Sequence, residues 1–105
     1  MNKKLLAPIG ATAAAAALAV PALGAGATVR VDDNLFKAKT VRITKGSTVT
    51  WRWVGDNPHN VKFRSFHSTI KKTGTYRHKF TTRGTYRYIC TLHDDKGMKG
   101  TVIVN

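Results

Sequence analysis

Hydrophobic side chains alternate with polar ones in short runs from residue 28 to the C-terminus. Val49, Trp51 and Trp53 share one side of such a run, and Val102 and Val104 share one side of the last run. A period of two residues is typical of a β-strand with one buried face. Segments with Gly, Asn, Asp or Pro separate the runs, and no run has a convincing helical period. The pattern therefore predicts an all-β domain, either a sandwich or a barrel.

The alternation predicts extended segments at 28–32, 40–44, 48–53, 60–63, 76–80, 86–90 and 101–105. Turns are predicted between them at 45–47, 55–58 and 81–84. The segment 64–74 has the least regular pattern, so we predict a long connection there, with space for a short helical turn. In 86–90, Cys90 lies on the same side as Tyr86 and Tyr88. If the tyrosines point inward, the sulfur is shielded from water at the end of that strand.

The N-terminus has the organisation of a secretory signal peptide. Lys3 and Lys4 precede an almost wholly apolar run over 5–20, and the small residues Ala25, Gly26 and Ala27 fit a cleavage site. We predict a signal peptide at 1–27 and one small domain at 28–105, exported to the periplasm, cell surface or extracellular space. The alternative is an uncleaved anchor, since residues 5–27 are long enough to span a bilayer. After cleavage no stable membrane insertion is expected.

The chain is strongly basic. It has 18 Lys and Arg against 5 acidic residues, for a formal net charge of +13. Such a charge suits nucleic acid, an anionic surface or an acidic protein partner. Export argues against nucleic acid, and the cations are scattered along the predicted strands rather than concentrated in one run. Part of the charge is then ordinary solvated surface.

The stretch 86–98 carries the chemistry. Cys90 is the single cysteine, with His93 three residues later and Met98 five residues after that. A thiolate, an imidazole and a thioether suit copper that cycles between Cu(I) and Cu(II), and two His, one Cys and a weak axial Met form a blue-copper site. His59, which closes the 55–58 turn, is the candidate for the second His. Because one cysteine cannot form an intramolecular disulfide, a bound metal would also stabilise this small domain.

Each of these residues also has an ordinary structural interpretation. Cys90 alone would be a buried core residue, His59 a surface loop residue, and Met98 either a core or an exposed side chain. His78 alternates with aromatic residues and is interpreted as a packed strand residue, whereas His67 lies in the irregular connection. Zinc fits the set poorly, because structural zinc normally takes four strong nitrogen or sulfur donors.

Four stretches of the sequence resemble the cupredoxins, most closely the plastocyanin-like blue copper proteins. They are GSTVTW at 46–51, PHNV at 58–61, GTYRYIC at 84–90, and CTLH through MKGTVIV at 90–104. The resemblance implies a Greek-key β-sandwich of about seven to eight strands. It also implies one copper ion bound by His59, Cys90, His93 and Met98. Asn60 resembles the residue that ties the first histidine loop to the residue after the cysteine, here Thr91.

The function that the resemblance implies is an exported, monomeric carrier of single electrons between protein partners, and not an enzyme. His93 is then expected to expose a ring edge within an apolar patch formed by Pro58 and Leu92. The basic charge predicts a redox partner with an acidic docking face. Leu92 stands where many plastocyanins have proline, and the chain is shorter than they are, so a photosynthetic role is not expected. The competing function is copper delivery or storage; a basic surface-binding module with incidental metal is a third.

Overall fold

The computed structural model describes residues 26–105, which fold into a β-sandwich of seven strands and one short 3-10 helix. The predicted signal peptide lies almost entirely outside the described residues. The strands are β1 (Ala27–Asp32), β2 (Leu35–Lys37), β3 (Thr40–Ile43), β4 (Thr48–Trp53), β5 (Thr75–Lys79), β6 (Gly84–Ile89) and β7 (Lys99–Val104). The 3-10 helix is Asp94–Lys96. No helix in the described part of the chain is long and apolar enough to cross a membrane.

The strands form two sheets, with the orders β2-β1-β4-β5 and β3-β7-β6. Two neighbouring pairs are parallel, β1 with β4 and β3 with β7, and the other pairs are antiparallel. Because β1 and β4 are parallel, the turn after β1 and the loop after β4 emerge at the same edge of their sheet. This edge positions the residues around His59.

The core forms where the inward faces of the two sheets meet. Val49, Trp51 and Trp53 of β4 are buried while Arg52 between them is exposed, as the alternation predicts. The Trp51 ring lies 5.4–6.5 Å, between ring centroids, from four other aromatic rings, those of Phe63, Tyr76, Phe80 and Tyr88. Burial of each large apolar side chain contributes roughly 1.5–3 kcal/mol. This aromatic centre is therefore a principal source of stability in a small domain.

The fold class predicted from the sequence is confirmed, with differences in three segments. β2 was not predicted, because a three-residue edge strand is too short to show a period. The segment 60–63 is extended but forms only isolated bridges, in which Lys62 exchanges two backbone hydrogen bonds with Ile89, of 2.8 and 3.0 Å. The long connection predicted at 64–74 is present but has no helical turn; backbone bridges at His67 and Lys71 hold it in irregular form.

His78 is packed, as predicted for this strand residue. Its ring stacks on Phe66 at 3.7 Å between centroids and an angle of 10°. Phe80 contacts it edge-on at 4.8 Å. Burial lowers the pKa of His78 from its ordinary value of 6.5, because the charged ring is poorly solvated there.

This packing predicts how the stability of the apoprotein depends on pH. Because the pKa of His78 is lower in the folded state, the unfolded state binds more protons between that pKa and 6.5. The free energy of unfolding therefore falls as pH decreases through this window. In His78→Phe, which retains the stacking, chemical denaturation between about pH 5 and 7 is expected to show a weaker pH dependence. His67→Gln changes an exposed residue and is the control. An equal pH dependence in wild type and His78→Phe would contradict the prediction.

Candidate metal centre

Three nitrogen and sulfur donors converge at one end of the sandwich. The Nδ1 atoms of His59 and His93 lie 3.1 Å apart. The Cys90 Sγ lies 3.8 Å from the His59 Nδ1 and 3.6 Å from the His93 Nδ1. All three ligand atoms lie within 4.8 Å of one another. Two imidazoles and a thiol thus face a common point, in the trigonal arrangement of a blue-copper site.

Cys90 and His93 are positioned by a tight loop between β6 and β7. Cys90 follows β6 on the buried side of that strand, and its side chain is fully buried. Its N–H donates to the Met98 carbonyl at 3.1 Å, and its carbonyl accepts from the His93 N–H at 3.2 Å. The Met98 N–H donates to the His93 carbonyl at 3.2 Å. Gly97 has φ +80°, so the chain turns there in a conformation that favours glycine.

These backbone hydrogen bonds place Met98 next to Cys90 and His93. Its side chain is fully buried, as is that of Cys90. Both residues belong to the continuous hydrophobic core of the described chain. This burial keeps both side chains away from water.

Backbone hydrogen bonds hold His59 on a separate segment of the chain. Its N–H donates to the Lys71 carbonyl and its carbonyl accepts from the Lys71 N–H, both at 3.0 Å. The Trp53 indole Nε1–H donates to the same His59 carbonyl at 3.1 Å. The Lys71 ammonium lies 4.9 Å from the centroid of the Trp53 ring, a cation–π contact. The backbone of His59 is therefore held by Lys71 and Trp53, and its imidazole is fully buried.

Asn60 connects the two ligand loops. Its side chain is buried, and its Oδ1 accepts from the Thr91 N–H at 2.8 Å and from the Thr91 hydroxyl at 3.2 Å. Asn60 follows His59 directly and Thr91 follows Cys90 directly. The bond therefore fixes the separation between the backbone segments that carry the imidazole and the thiol.

The other two histidines lie outside the cluster, and the residues of the expected patch lie at the surface. His67 is exposed and His78 packs in β5, and neither joins the cluster. Pro58 is exposed, Leu92 is 44% exposed, and His93 is half-buried beside them in sequence. His93 is thus the more accessible of the two imidazoles.

Asp33 is a site residue that the sequence did not indicate. It lies in the turn between β1 and β2, and its Oδ1 is 3.0 Å from the His59 Nε2. The hydrogen bond from His59, followed by those from the Asp56 and Asn57 backbone N–H groups, lowers the pKa of Asp33 to about 2. A metal-binding histidine commonly donates its other ring N–H, the one that faces away from the metal, to a carboxylate. Asp33 is placed to be such a partner for His59.

The donor set fits copper. Imidazole suits several transition metals, whereas thiolate and thioether select softer ions such as Cu(I). The β-sandwich and this buried cluster define a mononuclear copper protein of the cupredoxin type.

Comparisons with known proteins agree. Residues 25–105 match the copper binding proteins of the plastocyanin/azurin family, and the chain belongs to this family. Amicyanin-alpha of Methylorubrum extorquens is 41% identical, over 94% of this chain and 92% of its own. Plastocyanin of Scenedesmus fuscus is 36% identical, over 67% of this chain and 86% of its own.

Solved structures show the same fold. A purple cupredoxin from Nitrosopumilus maritimus superposes with a TM-score of 0.69 and 25% identity, covering 75% of this chain and 99% of that one. An oxidised amicyanin with a proline-to-glycine substitution superposes with a TM-score of 0.68 and 31% identity, covering 76% of this chain and 82% of that one. The family resemblance and the copper cofactor expected from the sequence are confirmed.

The link between the two loops predicts the effect of removing Asn60. Asn60→Ala leaves the Thr91 N–H without its acceptor, so the apoprotein should lose about 1–3 kcal/mol of unfolding free energy. Asn57→Ala, an exposed amide in the same loop, is the matched control and should change stability little. Urea unfolding of both variants measures the difference. Equal losses would show that the Asn60 side chain does not stabilise the loops.

Proposed function

We propose that this protein is an exported carrier of single electrons, with one copper ion bound by His59, Cys90, His93 and Met98. The observation that carries the proposal is the convergence of two imidazole Nδ1 atoms on the buried Cys90 sulfur. Relatives support a redox couple, since one amicyanin variant has been solved in a reduced Cu(I) form and another in an oxidised form. The carrier transforms no substrate, so it is not an enzyme.

The protein frame contributes by keeping the donors in place. Bound copper would supply the electron by cycling between Cu(I) and Cu(II). Backbone hydrogen bonds close the Cys90–Met98 loop and link His59 to Lys71, so the segments that carry the donor atoms are restrained by the protein itself. Donors that hardly move between oxidation states allow fast electron transfer. The buried Met98 thioether is proposed as the weak axial ligand, and Asn60 with Thr91 as the link that holds the ligand loops together.

We propose His93 as the route for electrons. It is half-buried, whereas His59 and Cys90 are fully buried. Pro58 and Leu92 are exposed and apolar, and would form the patch through which a partner approaches the His93 ring. An apolar contact surface excludes water without a long-lived polar interface, which suits a transient encounter.

Copper delivery or storage is the less supported alternative. A delivery protein exchanges its metal readily and keeps its ligands accessible. Here Cys90 and His59 have no exposed side-chain surface. This burial favours retained copper and therefore electron transfer.

We further propose that the partner presents an acidic face. Arg30 and Arg52 are neighbours across the parallel β1–β4 pair, and Lys37 is the neighbour of Arg30 across β1–β2. All three side chains are exposed. They form a basic row on the outer face of the sheet, one or two residues from the strand ends that lead to Asp33 and His59. This row would attract an acidic partner beside the copper site.

The proposed signal peptide at 1–27 would bring this carrier to the periplasm or outside the cell. A copper-bound thiolate is also protected from the oxidation to which a free thiol is exposed there. The mature protein would be a monomer at 28–105.

The proposed function is tested first by colour. The Cu(II) form should have the intense visible absorption of a thiolate–copper bond, and Cys90→Ala should lose it. His67→Ala, which removes an exposed imidazole outside the cluster, should retain the full band. A pale wild-type copper form with only weak absorption would contradict the assignment of the site.

The proposed docking is tested by salt. Electron-transfer rates with an acidic redox protein should fall as ionic strength rises, because the Debye length shrinks to about 10 Å at 0.1 M. Arg30→Gln/Arg52→Gln should weaken this dependence. The control, Arg42→Gln/Arg87→Gln, removes the same charge from exposed positions of the second sheet. If both pairs weaken it equally in stopped-flow measurements, the basic row is not the docking surface.

A further inference from the structure

Asp33 reaches the metal cluster from an element that carries none of the proposed ligands. It lies in the β1–β2 turn, 26 residues before His59, and its Oδ1 is 3.0 Å from the His59 Nε2. We infer that Asp33 is a positioning residue of the copper site: it fixes the His59 ring with Nδ1 toward the metal, and its charge favours Cu(II) over Cu(I). The presence of copper is taken from the proposed function, and the orientation of the His59 ring rests on the geometry.

The carboxylate is itself held in place by the loop that precedes His59. Its Oδ1 accepts from the Asn57 N–H at 2.9 Å, and both oxygens lie 3.1 Å from the Asp56 N. A Cβ at Gly55 would lie 2.5 Å from the Oδ1, so only glycine there leaves room for the carboxylate. Asp33 is therefore oriented by backbone groups and does not depend on a flexible rotamer.

This arrangement selects one form of the His59 ring. When Nε2–H donates to the carboxylate, the neutral ring keeps its lone pair on Nδ1. That Nδ1 faces the His93 Nδ1 at 3.1 Å and the Cys90 Sγ at 3.8 Å, which is the side where metal would bind. A hydrogen bond from a ligand imidazole to a carboxylate also makes the imidazole a stronger donor.

The charge of Asp33 acts differently on the two oxidation states. Cu(II) carries one more positive charge than Cu(I). The Asp33 side chain is 30% exposed, so solvent partly screens its charge, but the His59 ring that links it to the metal side is fully buried. The Asp33 carboxylate therefore stabilises the oxidised site more than the reduced one. Removing its charge should raise the reduction potential.

The first test compares two isosteric substitutions of adjacent residues. Asp33→Asn keeps an acceptor oxygen for His59 but removes the charge. Asp32→Asn makes the same charge change one residue earlier, where the carboxylate accepts from the Asp33 N–H at 2.9 Å.

Loss of a carboxylate behind a ligand typically costs about 10-fold in metal affinity. If that loss falls on Cu(II), voltammetry should show a rise of about 59 mV for Asp33→Asn. Asp32→Asn should shift the potential by less than half as much. Equal shifts in the two variants would overturn the inference.

The second test measures the hydrogen bond without copper chemistry. In the apoprotein, nitrogen-15 NMR should show His59 protonated at Nε2, with slow exchange of that proton. Asp33→Ala should accelerate the exchange at least tenfold and mix the two tautomers. Should the alanine variant fail to fold, Asp33→Asn provides the same readout with a weaker acceptor. An unchanged exchange rate and tautomer in the folded variant would overturn the role of Asp33.

These readouts separate the two proposals. A wild-type protein without a blue band or a reversible wave would refute the proposed function, while the NMR result still decides whether Asp33 orients His59. A blue, reversible wild type with equal shifts in the Asp32 and Asp33 variants would refute the inference alone.

Discussion

The packing of the His59 loop against the end of β6 is the contact on which the metal centre depends. Lys62 and Ile89 exchange backbone hydrogen bonds, and Asn60 binds Thr91, so the segment that follows His59 is joined to the chain on both sides of Cys90. Without this contact the imidazole of His59 and the sulfur of Cys90 would lie on unconnected loops. The seven-strand sandwich supplies rigid ends to which these loops attach, and the aromatic centre around Trp51 holds the sheets together.

Burial of this cluster has an electrostatic consequence. Two imidazoles and a thiol lie close to one another, with His59 and Cys90 fully buried and His93 half-buried. Such groups lose hydration on burial and require internal partners. Asp33 provides one for His59, and the Met98 carbonyl and His93 N–H satisfy the backbone of Cys90. The protein's own groups therefore satisfy much of the hydrogen bonding around the site.

The acidic and the basic side chains lie in different parts of the domain. The five acidic residues all lie at the end that carries the cluster: Asp32, Asp33, Asp56, Asp94 and Asp95. The cations are spread over both sheets, including the Lys37–Arg30–Arg52 row. The long-range field is positive, whereas the site itself has nearby negative groups. In the proposed docking, the basic row would supply the attraction for an acidic partner, whereas the carboxylates around the site would not.

The sequence by itself determined most of the strands, because each buried face appears as a period of two along the chain. It also determined the chemistry of Cys90, His93 and Met98, since their spacing within one loop makes their proximity a local property. β2 and the irregular course of 64–74 escaped prediction, because a three-residue edge strand and a bridged connection have no period. His59 was indicated by its place at the end of the 55–58 turn and then by the resemblance of 58–61 to a known motif. Only the tertiary structure revealed that Asp33 belongs to the site. Its carboxylate meets His59 because β1 pairs with β4 in parallel and their ends lie at one edge, and a pairing register between distant segments leaves no local signal in the sequence.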